Sequence, residues 1–293
     1  NPEAPDRDSA WATNQAYMAH FALTDVEERT FHSSERFSRG AVGLAGARSD
    51  PLKVWLETWQ VHGQASDSYA GEGMPCLETF PWQLQAEEGG ITLSLTVGPL
   101  KGIVLQGDQG LSRKGPEPGN ASYYYSITRL WAGGTLTLGG EEHTVSGTAW
   151  FDHEWSTSAL GENLAGWDWF ALQFGDGTDL MYYRLRQRDG TSAPYSEGTL
   201  VNPAGDTVRL QGGEVTIKPL AAWRSPQSGT EYPVKWRVHI PLLGRDFIVC
   251  AVMSGQEQDL SVRYWEGAVE ILDEWERESL GWGYVELTGY ARP

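Results

Sequence analysis

GDGTDLMYYRLRQRDG, Gly175–Gly190, decides the fold of this chain. Asp-Gly pairs stand at 176–177 and 189–190. Gly takes positive φ without a Cβ clash, so each pair is a turn former. Between them DLMYYRLR (179–186) is dense in residues that favour a pleated, half-buried surface. The stretch reads as turn, strand, turn.

The same punctuation extends outward. ITLSLTV (91–97), GIVLQ (102–106), SYYYSITRL (122–130), GTLTL (134–138) and TVSGTAWF (144–151) precede it. WFALQF (169–174), EVTIKPL (214–220), VKWRVHIPLL (234–243) and FIVCAV (247–252) complete the set. Short apolar runs, many of them alternating and separated by Gly, Asp-Gly and Asn-Pro signals, predict an all-β antiparallel sandwich or barrel. One helix is expected, in HSSERFSRG (32–40), with Ser33 as N-cap and Glu35 four residues before Arg39. The Gly-, Ser- and Pro-rich stretches 63–75 and 108–121 read as exposed loops. GGTLTLGGEEHTVSGTAWFDHEW (133–155) echoes EGAVEILDEWERESLGWGYVELTGY (266–290), which suggests a duplication with the first module ending near Trp155.

Composition bounds the rest. With 39 acidic against 22 basic residues the net charge is −17, which disfavours nucleic acid and anionic membrane surfaces as partners. No run of about 18 apolar residues is present to span a bilayer. The 14 Trp, 12 Tyr and 8 Phe point to β structure and aromatic-lined cavities. Cys76 and Cys250 allow one disulfide or two free thiols, and without a C-x-x-C a structural zinc site is not expected. The chain starts at Asn1 without Met, so a removed signal peptide is compatible with it.

Several segments carry a resemblance: AYMAHFALTD (16–25), ERFSRGAVGLAGA (35–47), VWLETWQV (54–61), GTAWFDHEWSTSALGENLAGWDWFALQF (147–174), DGTDLMYYRLR (176–186), YWEGAVEI and GYVELTGY. Together they resemble the AttH/CrtC family of lipocalin-like proteins, which includes carotenoid 1,2-hydratases (hydroxyneurosporene synthases) and proteins labelled secreted hydrolases. The DHEW and GWDWF pair is the most specific part. The resemblance implies two lipocalin-like antiparallel β-barrel domains in tandem, here 1–155 and 156–293. It also implies a periplasmic or secreted protein that binds a hydrophobic isoprenoid or acyl ligand, with peripheral membrane association left open and no cofactor. Family members open with a Glu-Trp-Trp-Tyr strand that NPEAPDRDSAWATNQ does not supply, so the first barrel is expected to lack its opening strand.

The chemistry is expected in WFDHEWSTSALGENLAGWDWFALQF (150–174). With a strand period of two, Ala149, Phe151, His153 and Trp155 share one face, and Trp150, Asp152 and Glu154 the other. Asp168 falls on a face with Phe170, Leu172 and Phe174. Burial among them would keep that carboxyl neutral and make it a proton donor. Hydration of a trisubstituted alkene needs such a donor, and indole faces stabilise the tertiary carbocation by ~1–2 kcal/mol each when dry. The family resemblance matches His153 and Trp155 to a His-x-Trp pair and Asp168 to its acid. Trp167, Trp169, Phe151, Phe170, His20 and Tyr183 are the expected ligand-binding residues. Structural roles compete for most of them. Asp168 could cap a turn or pair with Arg184 or Arg186, His153 and His20 could be hydrogen-bonded scaffold, and half of the indoles could be core. Arg36 and Arg39 read as a solvated face or as partners of Glu35 rather than as an anion clamp. Asp152, His153 and Glu154 point alternately and cannot jointly hold a metal. No G-x-S-x-G is present, so a serine-hydrolase reading fails. A non-catalytic lipid carrier serving export or attachment, and a surface interaction protein, are the alternatives to an enzyme.

Overall fold

The computed structural model describes residues 8–65, 75–156, 160–161 and 163–291. Its strands form three sheets. The first pairs β1 (Ala16–Asp25) with β2 (Thr30–Arg39). The second holds β3 (Ala45–Ser49), β4 (Leu52–Leu56), β5 (Trp59–His62), β6 (Trp82–Glu88), β7 (Ile91–Pro99), β8 (Val104–Leu105), β9 (Leu111–Arg113), β10 (Ala121–Leu138) and β11 (Glu141–Ser156). The third holds β12 (Leu164–Phe174), β13 (Asp179–Gln187), β14 (Glu197–Val201), β15 (Thr207–Leu210) and β16 (Thr216–Arg224). It continues with β17 (Glu231–Ile240), β18 (Arg245–Ala251), β19 (Glu257–Asp259), β20 (Arg263–Asp273) and β21 (Ser279–Leu287). Helical structure among the described residues is a single turn, Pro75–Glu78, and a 3-10 turn, Pro241–Leu243. The all-β, antiparallel, lipocalin-like class expected from the sequence is the class found.

Two compact units divide the chain. The first comprises Asn1–Ala22, His32–Leu100 and Leu130–Ala149; the second comprises Leu23–Phe31, Lys101–Arg129 and Trp150–Pro293. The expected boundary after Trp155 falls inside β11, which passes from one unit to the other between Ala149 and Trp150. The two echoing stretches each lie in a hairpin, β10–β11 and β20–β21. SYYYSITRL and GTLTL are parts of one 18-residue strand, β10.

In the second unit the order of the ten-stranded sheet runs β15-β14-β13-β12-β21-β20-β18-β17-β16. Period-two burial is clean along β20, where Trp265, Gly267, Val269 and Ile271 point inward. The inner face is filled by Trp236, Trp265, Tyr232, Phe170, Phe174 and Phe247, each 2% exposed or less. The inner face of this sheet is therefore packed with side chains. β16 ends the order and carries Pro219 beside a register shift, both of which blunt an end strand against further pairing.

HSSERFSRG is strand, not helix: it forms most of β2. A Glu–Arg pair four apart contributes only ~0.2–0.5 kcal/mol to a helix. The extended strand separates the two, and Arg39 donates to the Thr13 carbonyl at 3.0 Å. Glu35 meets His20 at 3.0 Å, while Arg36 turns to Glu88 at 2.9 Å and lies over the Trp59 ring. Cys250 is a free thiol whose pKa is raised by burial. The Cys76 side chain lies outside the described residues.

Candidate functional site

β12 and β13 pair antiparallel with Asp168 opposite Arg184, Trp169 opposite Tyr183 and Phe170 opposite Tyr182. Alternation sends Phe170, Leu172, Phe174, Leu180 and Tyr182 into the packed core. Trp167, Trp169, Met181, Tyr183 and Leu185 go to the opposite face. That second face borders a cavity of about 270 Å³. Its walls are Tyr124, Leu160, Trp167, Trp169, Tyr183 and Leu185, and its polar groups include Lys114, Ser122 and Glu154.

Asp168, the proton donor expected from the sequence, is met by two arginines and a tyrosine instead of facing the cavity. It does share the core-facing side of β12, but the register sets arginines at its end of that side. Arg184 Nη2 lies 2.5 Å from one carboxylate oxygen and Arg186 Nε 2.8 Å from the other, and the Tyr290 hydroxyl donates at 3.0 Å. The carboxylate is fully buried, and both of its oxygens are taken up by these donors in a charge-assisted latch turned away from the cavity face of β12. Arg186 also donates to the Thr288 carbonyl and stacks 3.7 Å from the Tyr290 ring centroid. Gly166 makes this latch fit: a Cβ there would lie 2.2 Å from Thr288 O and 3.0 Å from Arg186 Nη2.

A second carboxylate borders the cavity from behind. Tyr124 lines the cavity and donates its hydroxyl to Asp152 Oδ2 at 2.8 Å. Asp152 Oδ1 accepts from Ser126 Oγ at 2.5 Å and from Trp150 Nε1 at 2.8 Å. Trp169 donates its indole N–H to the Tyr124 hydroxyl at 3.0 Å. Burial raises the Asp152 pKa to about 6, although all three donors pull the other way. The Tyr124 hydroxyl is pushed well above its ordinary value, first by burial and then by Asp152. Behind Trp167 stands Glu286, which accepts the indole N–H at 2.7 Å. Burial, and next the charge of Glu266 directly across β20–β21, raises Glu286 to about 7. At the cavity's polar end Lys114 Nζ lies 3.1 Å from Glu154 Oε1 and 3.8 Å from the centroid of the Tyr183 ring. Glu154 also accepts from Ser122.

The other expected residues disperse. His153 and Trp155 lie on the opposite face of β11 from Asp152. Their rings meet each other, and Phe151, Tyr123 and Tyr125 complete an aromatic cluster. His153 Nδ1 is 3.0 Å from the Tyr125 hydroxyl, burial lowers its pKa, and Trp155 is 49% exposed. Phe170 is core. His20 belongs to the first unit, where with Phe21, Trp55 and Trp59 it borders an apolar cavity of about 290 Å³. Only Trp167, Trp169 and Tyr183 of the expected set meet at the 270 Å³ cavity; the Tyr183 hydroxyl is itself engaged by Ser112 and Glu197. Tyr124, Lys114 and Glu286 were not singled out from the sequence. Alternation along Ser122, Tyr124 and Ser126 was the available signal for the first. Among the described residues no group of three His, Cys, Asp or Glu side chains could hold a metal ion.

No curated protein matches the chain. A crystal structure of a protein from Nitrosomonas europaea described as an AttH superposes with a TM-score of 0.83 at 32% identity, covering 97% of this chain and 84% of that one. Kievitone hydratase from Nectria haematococca superposes with a TM-score of 0.70 at 17% identity, covering 94% of this chain and 81% of that one, a likeness of fold. The AttH-like family matches residues 1–290, and the chain belongs to that family.

Proposed function

We propose that this protein binds an apolar small molecule in the cavity of its second unit and hydrates a carbon–carbon double bond in it. The observation that carries the proposal is the Tyr124–Asp152 pair, a cavity-lining hydroxyl hydrogen-bonded to a carboxyl raised to about 6. When Asp152 is ionised, the Tyr124 proton points at it. When Asp152 is protonated, its own O–H turns to the Tyr124 oxygen, which frees the tyrosine proton for the cavity. Transfer of that proton to the alkene, with Asp152 resupplying Tyr124, leaves a tertiary carbocation beside the Trp167 and Trp169 rings. Water adds to the cation, and the proton it releases returns to the Asp152 carboxylate. Atoms balance with no cofactor. The fold shared with kievitone hydratase is consistent with this chemistry.

Farnesol, which ends in a trisubstituted alkene, is a suitable probe. Incubated in ¹⁸O-water and followed by mass spectrometry, the wild type should add one labelled water. Asp152→Asn and Tyr124→Phe should lose roughly 10²–10⁴-fold of that rate while still quenching tryptophan fluorescence on binding. Binding without hydration by the wild type would make the protein a carrier, and no binding would remove the cavity as a ligand site.

A further inference from the structure

Lys114 is an unusual resident for an aromatic cavity. Its ammonium nitrogen lies 3.8 Å from the Tyr183 ring centroid and 5.8 Å from that of Tyr124. Its polar neighbours are Glu154 at 3.1 Å and Ser112 Oγ at 3.2 Å. The apolar part of the wall is Trp167, Trp169, Leu160 and Leu185, with Asn120, Ser122 and Ser156 at its polar end. The site therefore holds a cationic nitrogen between π faces, with one carboxylate as counter-ion and an apolar chamber of about 270 Å³ in front.

An iminium nitrogen has the same charge and occupies the same position as that ammonium. We propose that the cavity captures apolar aldehydes or ketones as a protonated Schiff base on Lys114, with Glu154 as proton acceptor, proton donor and counter-ion. Glu154 takes a proton from the ammonium. The free amine attacks the carbonyl carbon, the C–N bond forms, and one proton passes from the nitrogen to the alkoxide to give the carbinolamine. Glu154 then returns its proton to the carbinolamine hydroxyl, water leaves, and the nitrogen lone pair completes the C=N bond. The net change is a carbonyl plus Lys–NH₃⁺ giving the iminium ion plus water, so neither oxidant nor reductant is consumed. Burial, the largest influence on Lys114, lowers its pKa; Glu154 and then Glu197 oppose it. An amine lowered in this direction and set against aromatic walls favours nucleophilic capture. Capture is independent of the alkene chemistry assigned to Asp152.

The test uses the full chain, cinnamaldehyde and cyanoborohydride, with peptide mass spectrometry to locate the reduced adduct. Lys114 should be modified faster than Lys53, Lys218 and Lys235 by about tenfold or more. Lys114→Arg, which keeps the charge but is not a nucleophile, should lose the adduct while retaining the native circular dichroism spectrum. Glu154→Gln should slow labelling by about tenfold through loss of the proton shuttle. Glyoxylate, small and charged, should show no preference for Lys114. Labelling of Lys114 at or below the rate of the other lysines overturns the proposal. So does equal selectivity for glyoxylate, or a Glu154→Gln variant labelled as fast as the wild type.

Discussion

Asp168 and Asp152 are two carboxylates in one unit with opposite fates. Asp168 sits on the core face of β12 and receives two arginines and a tyrosine hydroxyl. Asp152 stands behind the cavity and receives neutral donors only: a serine, a tyrosine and an indole. Charged donors close around the first and tie it into the core. Neutral hydrogen bonds leave the second exposed to the desolvation penalty, which favours its protonated form. The lesson is that burial among aromatic residues does not by itself make an acid; the charge of the nearest donors decides.

Breaking each carboxylate should therefore fail in its own way. The largest effect is expected at the latch. Asp168→Ala leaves two guanidinium groups buried without a partner and should cost roughly 3–5 kcal/mol, read by urea unfolding. Asp152→Asn should act through pH instead. Because the folded state holds the Asp152 proton up to about 6 against an ordinary 3.8, it binds more protons than the unfolded state between those values. Stability from this group is thus present at low pH and lost as pH rises through that window. The loss is roughly 2 kcal/mol once partial solvent access is allowed for. Unfolding free energies measured from pH 4 to 7 should show that slope in the wild type and a flatter one in Asp152→Asn. The smallest effect is expected at Trp155, exposed and stacked on Tyr123 outside the cavity. Trp155→Ala should change stability by about 0.5 kcal/mol and leave farnesol binding intact; loss of binding would move the ligand to the aromatic cluster on the other face of β11.

The architecture was legible because alternation and turn chemistry are local. The Asp-Gly turns bracket β13 as read, and the faces of β11 and β12 fall as a period of two requires. What sequence could not deliver was register. Asp168 was grouped with Phe170, Leu172 and Phe174, and it does share their side. Whether an arginine would stand opposite depended on how β13 slid along β12, and the observed pairing puts Arg184 there. Trp167 and Trp169 were suspected from composition, whereas Tyr124 and Lys114 join them from distant parts of the chain. Counting back from the Gly139–Gly140 turn, both at positive φ, would set Ile127 and Tyr125 opposite Asp152 and Glu154, whereas Ser122, Tyr124 and Ser126 are the residues that meet them, so a one-residue slip hid that part of the site. Glu286 was hidden too, because its elevation depends on burial and then on Glu266 in the adjacent strand. The helix expected over 32–40 failed for the opposite reason, a weak local signal overridden by pairing with β1.

The most direct measurement is the titration of the Asp152 side chain itself, followed by ¹³C NMR of the carboxyl carbon with Asp152→Asn used for assignment. A midpoint near 6, moving when Tyr124 is changed to Phe, is the predicted result. A midpoint in the ordinary carboxylate range, with Asp152 fully ionised well below neutral pH, would contradict the claim that this group holds the proton the cavity uses.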